Sequence, residues 1–287
     1  MRLVFRNMLV AIGATDADAS LLQYAAMLQR MLPDLAIHGV HIAAADQTPP
    51  PCFLHDRYSP VLPKASWEVL HGDVLDGLID CSASHGSDVV LLGHSGRHRK
   101  RSLARRLAMK APCSVWMVPD GSPPSLNAIL APVDLSKPSA DTLDLATALA
   151  ERAGLDECCA LHIYFNDVLV TFEEFEEVLI ENKEQAFDLF VAPIDLHGIH
   201  ARPLFIESAH VAQTILNVAV EQKYDLIVMG TRGRSASAAV LLGSETEQVI
   251  IDTTVPVLAV KHRGARLRLR QALADERVHR RSDQRYS

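Results

Sequence analysis

Two passages of this sequence share one layout. Gly86-Ser87-Asp88-Val89-Val90-Leu91-Leu92-Gly93-His94-Ser95-Gly96-Arg97 runs parallel to Lys223-Tyr224-Asp225-Leu226-Ile227-Val228-Met229-Gly230-Thr231-Arg232-Gly233-Arg234. Each has an aspartate, four apolar residues, a glycine, and a second glycine three positions on. The parallel extends backwards. Asn127-Ala128-Ile129-Leu130-Ala131-Pro132-Val133-Asp134 repeats the layout of Arg6 to Gly13, and each passage leads into a segment with apolar residues at helical spacing, Leu21, Leu22, Ala25 and Leu28 in the first half and Leu143, Ala146 and Leu149 in the second. A second apolar run follows each helix, at Ala36 to Ile42 and at Cys159 to Tyr164, and each half ends in a further run after a proline, Cys113 to Val118 and Val257 to Val260.

The runs are continuous rather than alternating, as expected of strands covered on both faces by helices in a parallel sheet. The predicted class is α/β, with two tandem doubly wound domains, each a parallel sheet flanked by helices. Pro119-Asp120-Gly121-Ser122-Pro123-Pro124-Ser125 has linker composition, so the boundaries are set at 1–121 and 126–262, with a basic extension over 263–287. The proline-rich stretch from Gln47 to Pro63 and the histidine-rich stretch from Asp195 to Arg202 read as surface loops.

Composition agrees with two packed domains: 287 residues suit two units of about 140, and 48% apolar with 22% charged residues describes a chain with a sizeable core. The start carries Arg2 and Arg6 and too short an apolar run for a signal peptide or a membrane span, so the expected location is the cytoplasm. Five cysteines without CxxC spacing read as reduced thiols. A net charge of −7 argues against a dedicated nucleic-acid binder.

The chemistry concentrates in the second half. Gly230-Thr231-Arg232-Gly233 stands at the end of an apolar run, and Gly243-Ser244 follows after nine residues. Glycines let backbone amides approach phosphate oxygens and permit positive φ. Ser244 can cap the next helix and aim its N-terminus at an anion. Asp134, at the end of the first run, would face the same crevice, where a carboxylate can accept ribose hydroxyls. The GxxG alone fits a tight turn between strand and helix equally well; the spacing to Gly243-Ser244, the aspartate and the repeat favour a site.

With these motifs, both halves resemble universal stress protein domains, over about residues 3–119 and 126–262. The resemblance implies five strands per half in the order 3-2-1-4-5, ATP, ADP or AMP as ligand with Mg²⁺ able to accompany the phosphates, and no defined catalytic base. It implies that Pro132 and Asp134 lie at the ribose, that Ile163 touches adenine, and that Met229 and Gly230 frame base and sugar. Gly233, Gly243 and Ser244 would then cradle the phosphates, with Arg232 lining the loop and Glu245 giving its backbone amide. It further implies a stress role with an unidentified protein partner, a homo-oligomer, and halves that close each other's edge strands.

The first half departs from this pattern. Gly13 and Ala11 replace the aspartate and proline, only four residues separate Gly96 from Arg101, and the shortened loop carries Arg97, Arg99, Lys100, Arg101, Arg105 and Arg106. No nucleotide is expected there. The basic residues fit either an anion site or a solvated face. His197 and His200 form an HxxH near His210 without a clear carboxylate partner and read as loop residues. Cys158 and Cys159 read as core packing on opposite strand faces. The eight arginines after Val260 fit a docking helix or a frayed end. The leading function is a nucleotide-responsive regulatory or interaction module. The alternatives are a slow ATP hydrolase, or a relative of adenylyl-transferring enzymes although Asp134-Leu135-Ser136-Lys137-Pro138 is not their SGGxD loop, and an adaptor that binds no nucleotide.

Overall fold

The computed structural model describes residues 5–15, 18–44, 52–94, 98–165, 173–231 and 242–261. The first half runs β1 (Asn7–Ile12), α1 (Asp18–Met31), β2 (Ala36–Ala43), α2 (Phe53–Tyr58), β3 (Ser66–His71), α3 (Val74–Ser84), β4 (Val89–His94), α4 (His98–Lys110) and β5 (Ser114–Pro119). The second runs β6 (Ile129–Pro132), α5 (Lys137–Ala153), β7 (Glu157–Tyr164), α6 (Glu173–Val191), β8 (His200–Glu207), α7 (Val211–Glu221), β9 (Leu226–Gly230), α8 (Ser244–Asp252) and β10 (Val257–Val260).

These strands form one ten-stranded sheet in the order β3-β2-β1-β4-β5-β10-β9-β6-β7-β8. Within each half the pairing is parallel and doubly wound, 3-2-1-4-5. The halves meet where β5 and β10 pair antiparallel, with Trp116 opposite Leu258. Two apolar runs that would each have been an exposed edge thus cover one another.

Helices coat both faces. Leu21, Leu54, Leu143 and Phe187, from α1, α2, α5 and α6, share one core layer with Met8, Val10 and Trp116. Leu75, Leu107, Ile215 and Val249, from α3, α4, α7 and α8, share the other with Leu9, Val90 and Met117. Alternate residues of each strand feed opposite layers, which is why the runs read as continuously apolar. Cys158 and Cys159 divide between the two layers in this way and both are buried.

The aspartate of the repeated passage is structural in both halves. Asp88 accepts the Arg6 and Asn7 amides at 2.8 and 3.1 Å, and Asp225 accepts the Asn127 amide at 2.6 Å, so each holds the start of its half's first strand. The stretch 47–63 is not all loop. It holds α2, because Leu54, Tyr58 and Leu62 bury their side chains under the sheet. The stretch 195–202 likewise ends inside β8, where His200 and Arg202 pair with Glu157 and Cys159. No described helix is long and apolar enough to cross a membrane.

Candidate nucleotide-binding crevice

In the second half the chain leaves β6 towards β7 and β8 on one side, then returns to β9 and β10 on the other. The carboxyl ends of β6 and β9, which are adjacent, therefore open a crevice at the point where the winding reverses, the usual ligand position in such sheets. Asp134 follows β6, and Gly230 ends β9. Pro132 pairs in register with Leu161, and Leu161, Ile163, Met229 and Leu242 all belong to the α7/α8 layer, so the apolar residues named for base and sugar share one face.

The chain turns out of β6 at Leu135, which has φ 58°, a left-handed conformation that costs a branched residue energy. Behind the turn, α5 is capped by Ser136 in a reciprocal box with Ser139, and Pro138 sits in its first turn, where no backbone donor is needed. Asp134 is built into this cap. Its Oδ1 accepts the Ser136 amide at 3.1 Å, the Ser136 hydroxyl at 2.5 Å and the Ser139 hydroxyl at 2.7 Å. Three donors on one oxygen hold the carboxylate in one orientation.

Across the crevice, Gly243 donates its amide to the Thr231 carbonyl at 2.9 Å, and the Thr246 hydroxyl donates to the Gly230 carbonyl at 2.8 Å. These bonds tie the two ends of the intervening loop to β9. Arg232 and Gly233 lie in that loop, outside the described residues. The cap of α8 is Gly243, not Ser244: Ser244 is the first helical residue, and its hydroxyl lies 3.4 Å from Glu245 Oε1.

Gly243 has φ −73° and ψ 148°, so its backbone does not call for glycine. Among the described residues a Cβ there would meet only Thr231 O at 3.8 Å and Thr246 Oγ1 at 4.0 Å, ordinary contacts. Neither strain nor crowding by the described residues accounts for the missing side chain. What it leaves is open space at a helix N-terminus, which suits an anion. The negative side chain of Glu245 turns away from that space: its Oε2 accepts the Ala212 amide at 2.9 Å and so caps α7, whose own cap residue His210 makes no side-chain bond.

Two histidines escaped the sequence reading. His41 and His162 stand at matching points of β2 and β7, and each Nδ1 donates to the carbonyl at the end of the neighbouring first strand, Ile12 O at 3.0 Å and Val133 O at 2.9 Å. The signal was the repeated tripeptide Val40-His41-Ile42 and Leu161-His162-Ile163.

The first-half crevice is built differently. Ala14, with φ 58°, matches Leu135, but Gly13 stands where the aspartate would be. The carboxylate has moved five residues on to Asp18, which occupies the place of Ser139. Asp18 is buried and accepts the Gly13 and Thr15 amides at 3.0 and 2.9 Å and the Tyr58 hydroxyl at 3.0 Å. In the basic segment, Arg105 pairs with Glu247 of α8 at 2.6 Å, joining the halves. Arg97 and the tail 263–287 lie outside the described residues.

Of the HxxH, His197 is engaged by carboxylates. His197 Nε2 bonds Asp144 Oδ1 at 2.8 Å, a carboxylate partner the sequence reading did not find, and its Nδ1 lies 3.6 Å from Asp195. The five cysteines are free thiols, and burial pushes those of Cys158 and Cys159 above the ordinary range.

Fold and crevice define an open, doubly wound α/β protein of the kind that holds ligands beyond its strand ends. Residues 126–261 match the universal stress protein family. That stretch, a little under half of the chain, is similar to universal stress protein domains. A universal stress protein of Thermus aquaticus, from the QAH/OAS sulfhydrylase 3′ region, is 36% identical over 87 residues, 30% of this chain and 64% of that protein. Universal stress protein MJ0531 of Methanocaldococcus jannaschii is 34% identical over 91 residues, 32% of this chain and 53% of that one. The chain thus spans less than two thirds of the length of each. Among solved structures, a protein of unknown function from Pseudomonas aeruginosa, PA1789, superposes with a TM-score of 0.76 at 17% identity, covering 94% of this chain and 98% of its own. A universal stress protein from Archaeoglobus fulgidus gives 0.63 at 20%, covering 89% and 98%. Both likenesses extend the fold across the two halves.

Proposed function

We propose that the second half, residues 126–262, binds an adenine nucleotide in the β6/β9 crevice, and that the protein acts as a nucleotide-responsive interaction module. The observation that carries this is Gly243, whose missing side chain serves neither its backbone conformation nor packing among the described residues and leaves a helix N-terminus bare on the side of the crevice across from the anchored Asp134 carboxylate. In this reading the ribose hydroxyls bond Asp134, the base packs against Ile163 and Met229 beside Pro132 and Gly230, and the phosphates meet the amides of Gly233, Ser244 and Glu245 over the bare Cα of Gly243, whose own amide stays on the Thr231 carbonyl, with Arg232 beside them. Mg²⁺ would accompany the phosphates from solvent. The first half, residues 1–121, serves as a structural partner, because Asp18 occupies its equivalent crevice wall. Occupancy at β9 and α8 would reach the other half through the strand that follows, β10, which pairs with β5.

The direct test is to denature the purified full chain and chromatograph the supernatant. One adenine nucleotide per chain supports the reading. A chain that carries none and takes up none on equilibration with millimolar ATP contradicts it. Analysis of the nucleotide as ATP, ADP or AMP then identifies the form held.

A further inference from the structure

At the other end of the first half, near the amino ends of its strands, four donor groups converge. His38 of β2, Glu68 of β3, Cys81 of α3 and His85, the residue that caps α3, each place a ligand atom within 4.8 Å of the other three. Secondary structure brings them together. Cys81 and His85 are one helical turn apart, on one side of α3. Glu68 lies opposite Val40, two residues along β2 from His38, so His38 and Glu68 share the sheet face that α3 covers.

The details fit coordination. The Ser66 hydroxyl lies 2.7 Å from His38 Nδ1, which engages that nitrogen and leaves Nε2 turned towards Glu68 Oε2 at 3.2 Å. This is the outer hydrogen bond that orients a ligating imidazole. The Cys81 Sγ lies 3.5 Å from His85 Nδ1, a nitrogen that donates to the Cys81 carbonyl at 3.0 Å and would exchange that bond for the ion, or leave it and turn Nε2 inward. Metal bonds of about 2.0–2.3 Å in a tetrahedral shell need donors roughly 3.3–3.7 Å apart, and both pairs are near that spacing. The His38 and His85 rings stack at 3.9 Å with 22° between planes, so His85, which is exposed, would tilt from the stack to aim a nitrogen at the ion.

We propose that His38, Glu68, Cys81 and His85 form a site for a zinc-like divalent metal ion. Two imidazoles, a thiolate and a carboxylate match the borderline-soft ions, and thiolate disfavours magnesium or calcium. Four protein donors close the shell, which marks a structural rather than a catalytic centre. The ion would tie β3, the outermost strand of the sheet, to α3. The site uses none of the crevice residues and stands independently of nucleotide binding.

The test is titration of the metal-stripped, reduced full chain with cobalt(II). The expected result is saturation at one equivalent, with tetrahedral visible bands and a thiolate-to-cobalt absorption in the near ultraviolet that zinc displaces. Cys81→Ser should abolish the thiolate band. His85→Ala, a change at the surface, should weaken cobalt binding about ten- to hundredfold. Circular dichroism checks that both variants keep the fold, and His197→Ala should change nothing. Zinc should raise the melting temperature of the parent chain and not of Cys81→Ser. Absence of a thiolate band in the parent, or a band that persists in Cys81→Ser, overturns the proposal. Cobalt affinity unchanged in His85→Ala overturns the four-ligand assignment.

Discussion

The Asp18 carboxylate accepts the backbone amide of Gly13 at 3.0 Å, so the first half places its negative charge on the helix where the second half places it on the strand end, at Asp134. A Cβ at Gly13 would lie 3.3 Å from Asp18 Oδ1. Gly13→Asp therefore sets two carboxylates against each other, and it should lower stability without creating a nucleotide site. Asp18→Asn should cost about 1–3 kcal/mol by weakening bonds to the amides and to Tyr58. Denaturant unfolding measures both. A second equivalent of ATP bound by Gly13→Asp would show that the first-half crevice was one residue from function.

Lys261 joins the halves from a buried position. Its Nζ donates to the Ala108 and Met109 carbonyls at 3.1 and 2.9 Å, at the carboxyl end of α4, where a cation is favoured. Lys261→Met removes donors from buried carbonyls and should cost about 1–3 kcal/mol. The other link, Arg105 to Glu247, is partly exposed, so Arg105→Ala should cost at most about 1 kcal/mol. Chemical denaturation of the two variants should rank them in that order. The reverse ranking would mean that the surface pair, not the buried lysine, secures the junction.

Glu245 serves α7 rather than the crevice. Glu245→Ala removes the bond to the Ala212 amide and should cost about 0.5–2 kcal/mol, the range for a helix cap. It should leave the stabilisation by ATP intact, since the proposed phosphate contact is the backbone amide. Thermal melts with and without nucleotide separate the two effects; an abolished ATP shift in this variant would assign the side chain to the ligand.

The repeat made the recurring strand and helix units readable from sequence, while their order, 3-2-1-4-5, was implied by the resemblance to universal stress protein domains. That the runs Val115 to Val118 and Val257 to Val260 would cover each other was expected, as two edges too apolar to leave exposed; their antiparallel register, with Trp116 opposite Leu258, comes from the structure. Features that depend on distant partners were not readable. α2 is short and lies in a proline-rich stretch, and it forms because Leu54 and Tyr58 find a core, not because of local spacing. The Glu245 cap depends on Ala212, and the swap of Asp134 for Asp18 required seeing which carboxylate reaches the loop. At the crevice, two expectations are corrected: Gly243 rather than Ser244 caps α8, and its φ is not positive.

That corrected conformation makes Gly243→Val the most direct test of the central claim, because the backbone accepts a side chain and, among the described residues, a Cβ there meets nothing closer than 3.8 Å. If ATP binds the native state alone, 100 times Kd should add about 2.7 kcal/mol of stability. At about 2–4 °C per kcal/mol, the parent chain should melt roughly 5–10 °C higher. Asp134→Ala should reduce that shift, and Gly93→Ala, where a Cβ meets nothing closer than 3.8 Å, should leave it unchanged. The account predicts no shift for Gly243→Val at matched baseline stability. An equal shift in Gly243→Val and the parent would contradict it.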